Sequence, residues 1–249
     1  MEDFSPIARL NRIITDAKGC NRTFPTKRVW GKVLDFDYSD RVEIYEHSVE
    51  FYSLVQYVEN TLGVLVQDQV TRDLYEKEFE KLKALAFTFL TNEKWNSYHA
   101  KIDEGVLLSL NMGKALYNSL VDKSEKRAGD EYLLNLREAA EELFGNILHS
   151  DLPRDLRLKL CGDVIRIKKA LSRYELHGLD GIEEAVSTLG GRVGLHTTEL
   201  DKSKFSDFHA KLNDMLHAYI KVAEAANVTT SLIENMGKFA RSIGLNIGD

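Results

Sequence analysis

Between Asp151 and Arg173 the chain carries seven basic residues, Arg154, Arg157, Lys159, Arg166, Lys168, Lys169 and Arg173, against Asp151, Asp155 and Asp163 alone. The whole protein has a net charge of -6, so this local excess stands out. Lys159, Arg166 and Arg173 recur at seven-residue intervals, and Lys169 falls three after Arg166. A helix presents these four as one stripe opposite its apolar face. A basic stripe can hold a phosphate backbone or an acidic partner surface. The plainer reading is a solvated helix face paired with acidic helices of the same chain.

The stripe runs into Arg173-Tyr-Glu-Leu-His177. Histidine can move a proton of a phosphodiester, and arginine can stabilise the negative charge that develops. The pair resembles the arginine–histidine motif of the HEPN helical ribonucleases, in which four to six residues separate the two. Here three residues do, and Tyr174 stands where a polar residue usually follows the arginine. The resemblance implies metal-independent RNA cleavage across a dimer interface, with Arg173 and His177 as the catalytic pair. The plainer role for His177 is a cation at the negative end of a helix.

Other chemistry finds no support in the residues. There is no Glu-x-x-His unit for a carboxylate-bridged metal centre; Asp214-x-x-His217 and Asn146-x-x-His149 come nearest. No metal site and no cofactor is expected. Gly190-Gly191-x-x-Gly194 lacks the lysine of a phosphate loop and follows a helical pattern, so it reads as a flexible connector. Cys20 and Cys161 lie far apart and suit a reducing cytoplasm. No stretch approaches a membrane-spanning apolar run, and the acidic start Met1-Glu2-Asp3 does not read as a signal peptide. Trp30 and Trp95, near expected helix ends, are candidate anchors for a partner protein.

The elements that position these residues are helices. The chain has three prolines, Pro6, Pro25 and Pro153, and the long stretches between them are rich in good helix formers. An all-α bundle of eight to ten mainly antiparallel helices is expected. Val42, Tyr45, Val49, Tyr52 and Val55 step at helical spacing and read as a buried face of a long helix. Residues 122–130, the most polar stretch, read as an exposed loop between an N-terminal half (1–121) and a C-terminal half (131–249), with one continuous domain as the alternative. Helices are expected near 203–226 and 231–243.

Three functions remain open on these grounds. The first is a non-enzymatic interaction or regulatory protein with a protein partner or a second copy of itself, of the kind found in bacterial or phage defence and anti-defence systems. The second is a nucleic-acid-binding protein, including the ribonuclease. The third is a small-molecule sensor with a pocket between helices. A cytoplasmic location fits all three.

Overall fold

The structure, a computed structural model, describes residues 3–66, 68–120, 125–201 and 203–227. Ten helices and no strand are found among the described residues, so the all-α architecture expected from proline scarcity and apolar spacing holds. The expected helix near 231–243 lies outside the described residues.

The chain forms two compact units. The first to be completed contains Asp3–Ser124 together with Glu175–His177; the second contains Glu125–Tyr174 and the chain from Gly178 onward. The crossing back at Gly178 uses φ 63° and ψ -151°, a region open almost only to glycine.

In the N-terminal unit the helices are α1 (Pro6–Gly19), α2 (Thr26–Leu34), α3 (Arg41–Leu65), α4 (Gln69–Ala86), α5 (Asn96–His99) and α6 (Glu104–Leu120). Pro6 sits in the first turn of α1, where its missing N–H costs nothing. Asp40 caps α3 by accepting from the N–H groups of Val42 (2.7 Å) and Glu43 (3.4 Å). α1 packs on α2, α3 and α6, and α4 packs on α3 and α6. Gly113 permits the closest approach: a Cβ there would lie 2.6 Å from the Ile7 methyl of α1 and 2.9 Å from Leu62 of α3.

An aromatic cluster closes this core. Trp30 stacks on Phe89 at 4.4 Å and meets Trp95 edge-on at 5.5 Å and Phe51 at 5.2 Å. Each indole N–H is satisfied, Trp30 by Thr88 Oγ1 at 3.0 Å and Trp95 by the Ala17 carbonyl at 2.9 Å. Around Trp95 two loops are zipped together by Thr26 N–H to Glu93 O and Trp95 N–H to Phe24 O, both at 2.8 Å.

The C-terminal unit holds α7 (Asp130–Leu148), α8 (Arg154–Ser172), most of α9 (Tyr174–Leu195, broken at Gly178) and α10 (Ser206–Ala225). α7 packs against both α8 and α10. Its core stripe Leu136, Ala140, Leu143 and Ile147 is fully buried. Two expectations change here. Gly190–Gly194 is not a flexible connector but the last turns of α9. Ile182, Val186, Leu189 and Val193 are buried at steps of four, three and four, and that packing outweighs the weak helix propensity of glycine. The described part of the expected exposed loop is tied down as well. Lys126 N–H donates to Ala226 O (2.9 Å), Ala128 is fully buried and donates to the Tyr174 hydroxyl (3.0 Å), and Glu125 accepts from Leu179 N–H (2.8 Å).

Candidate functional site

The residues singled out in the sequence end up in unlike places. α8 stops at Ser172, and Arg173 is its C-cap with φ -114° and ψ 17°. The seven-residue phase of the basic stripe therefore fails at its last member. Arg173 is buried, 8% exposed, and does not stand on a solvated face. Lys159, Arg166 and Lys169 remain exposed. Arg166 lies 3.2 Å from the carboxylate of Asp163.

His177 belongs to the N-terminal unit and Arg173 to the other. The His177 imidazole lies with Nε2 3.4 Å from Glu50. In the same unit Glu175 pairs with Arg12, and Leu176 is buried in the core. A phosphodiester needs its arginine at the surface, and a buried Arg173 is not placed for that. Labelled RNA incubated with the chain in the absence of metal is therefore expected to stay intact, with wild type and His177→Ala alike on a denaturing gel. Cleavage lost in His177→Ala would restore the ribonuclease reading.

Trp30 and Trp95 have no exposed surface, so in this fold neither can anchor a partner. The anchor expectation is corrected: both complete the core, as their satisfied N–H groups show. Among the described residues no group of three or more His, Cys, Asp and Glu is placed to hold a metal ion, and no helix is long and apolar enough to cross a membrane.

The α3 face expected to be buried is buried only at its C-terminal end, at Val55, while its first three members are exposed. On α3, Ile44, Phe51, Leu54, Val55, Val58 and Leu62 face the core. Val42, Tyr45 and Val49 instead stand outward, 65%, 60% and 46% exposed. Tyr52 is half-buried and carries the stripe sideways to Phe87, its ring 6.0 Å away; Phe87 and Leu90 are exposed too. The helix is apolar on two sides, and among the described residues one side is left uncovered. Residues 42, 45, 49 and 52 step by three, four and three, the seam spacing of paired helices, over about 15 Å of helix. Asp37, Asp40, Glu43, Glu46 and Glu50 lie in or beside the same stretch, against the single base Arg41. Large exposed apolar patches rimmed by polar groups mark interaction sites.

Comparison with known proteins finds no match. No family model, no curated protein and no solved structure is similar enough to the chain to inform its function. The functional reading rests on the α3 surface and the chemistry of its neighbours.

Proposed function

We propose that the chain is a non-enzymatic interaction protein that docks an amphipathic helix of a partner along the outward face of α3. The observation that carries this is the exposed seam of Val42, Tyr45 and Val49 at heptad spacing. Heptad spacing calls for a helix as the occupant, because only a helix offers knobs at the same repeat. The acidic surroundings call for a basic one, since opposite charges beside the seam steer encounter and fix orientation. The reading suits a protein working in the cytoplasm with both cysteines free.

The test uses a synthetic helical peptide of three heptads with Leu and Ile at the seam and Lys beside it, followed by fluorescence anisotropy. Binding is expected to weaken as salt rises. The triple variant Val42→Asp, Tyr45→Asp, Val49→Asp should weaken binding about thirtyfold or more, the loss of one hot-spot residue's worth of free energy. Its unfolding midpoint should move little, because exposed substitutions cost within about 0.5 kcal/mol each. Equal binding by wild type and variant would overturn the reading. Sedimentation equilibrium supplies the second arm: a wild-type dimer that the triple variant dissolves would make the occupant a second copy and not a foreign helix.

A further inference from the structure

At the far end of α3 from the docking face, α3 and α4 enclose a cleft of about 460 Å³, within the size range of small-molecule sites. Its charges sort into two groups. Lys83 sits between Glu59 at 2.7 Å and Glu80 at 2.8 Å. Burial works against this ammonium, yet the hydrogen bonds to Glu59 and Glu80 outweigh it and hold its pKa above the usual lysine value. That trio satisfies itself.

The second group does not. Arg72 donates from Nε to the Val66 carbonyl at 2.8 Å, which fixes the plane of the guanidinium. Its terminal amino groups enter no ion pair or hydrogen bond among the described residues; the Asp68 carboxylate one turn back feels its charge but is engaged in capping α4 at Thr71 N–H (2.8 Å). Glu76, one turn on, is exposed and likewise enters no ion pair there. Four residues apart on one helix face, the two have the arginine-first order that pairs poorly within a helix. Tyr75 stands between them with its ring buried and its hydroxyl bonded to no described group; burial raises its pKa, so it stays a neutral donor. Gly63 of α3 leaves open space beside them.

A fixed guanidinium fork and a phenol donor suit an oxyanion, bidentate on the fork. A carboxylate about 5–6 Å along the helix suits an amine. We propose that this cleft binds a small amino carboxylate, its carboxylate on Arg72 and Tyr75, its ammonium at Glu76 and its aliphatic part in the open space beside Gly63. The site and the α3 docking face share no residue, so either stands without the other.

The experiment is a calorimetric and thermal-shift titration of the full chain with the common free amino acids and γ-aminobutyrate. Putrescine and succinate serve as amine-only and anion-only controls. At least one amino carboxylate should bind with Kd of about 1 mM or tighter and raise the melting temperature by mass action, while both controls bind more than about tenfold more weakly because each leaves one charged group unmatched. Arg72→Met should reduce affinity more than about tenfold by removing the fork. Gly63→Leu places a side chain in the cleft from the α3 side, where a Cβ meets nothing within 4 Å. It should abolish binding while leaving the unliganded protein at least as stable, because leucine replaces glycine in a helix. No binding by any amino carboxylate, binding that survives Gly63→Leu, or equal binding of putrescine would each overturn the proposal.

Discussion

Trp30→Ala is expected to remove about 3–5 kcal/mol of stability, the range for deleting a large aromatic from a closed core. The size follows from what surrounds the ring. Trp30 is fully buried and touches Phe51, Phe89 and Trp95, so three aromatic faces lose their partner at once. The neighbouring chain has little freedom to collapse into the gap, because the Trp95 loop is fastened to the Phe24–Thr26 loop by backbone bonds. A domain holds only about 5–15 kcal/mol in total, so the loss is a large share of it. Trp30→Phe should cost less, keeping most of the packing and losing the bond to Thr88 Oγ1. Urea unfolding followed by the fluorescence of the remaining Trp95, 5.5 Å away, reads both variants in the unit concerned. A loss under about 1 kcal/mol for the alanine variant would mean that the cluster is not closed.

The helices were legible in the sequence because helical spacing and proline position are local properties. Which side of a helix is covered is not local. α3 shows why: Val42, Tyr45 and Val49 have the spacing of a buried face, and so do Phe51, Leu54, Val55 and Val58, but only the second set meets the rest of the unit. The same limit misplaced the tryptophans, whose positions near helix ends say nothing of the loops that close over them. Arg173 failed for a different reason. Its phase with Lys159 and Arg166 holds only while the helix continues, and α8 ends one residue earlier without a glycine to mark the stop. Gly190–Gly194 stayed helical because four buried residues of α9 hold it, a tertiary effect that propensity does not carry. The α4 wall of the cleft left one faint trace, an Arg72 and a Glu76 one turn apart, which in sequence looks like any solvated helix face.

Asp163→Ala should destabilise the protein by about 3 kcal/mol, the low end of the range for removing one partner of a buried ion pair. Asp163 is 1% exposed, on the core side of α8. It accepts from Arg192 of α9 through both oxygens, one to Nε and one to the terminal amino group at 3.2 Å, and from Arg166 at 3.2 Å. The hydrogen bond to Asp163 raises the pKa of Arg192. Arg192 keeps 26% of its side chain in solvent, so water recovers part of what the aspartate supplied, which places the loss at the low end. Arg192→Met should cost more than Asp163→Ala, because it leaves the carboxylate in the interior with Arg166 alone. Combining Asp163→Leu with Arg192→Met removes both charges and should recover most of the loss, since an apolar pair of similar volume avoids desolvating either ion. Denaturant unfolding of wild type, Asp163→Leu, Arg192→Met and the double variant forms a double-mutant cycle, with Asp163→Ala measured beside it. Additive losses would mean that the pair is not coupled. Strong coupling, with the double variant near wild type, is the result expected if Asp163 and Arg192 are what hold the glycine-rich end of α9 in helical form against α8.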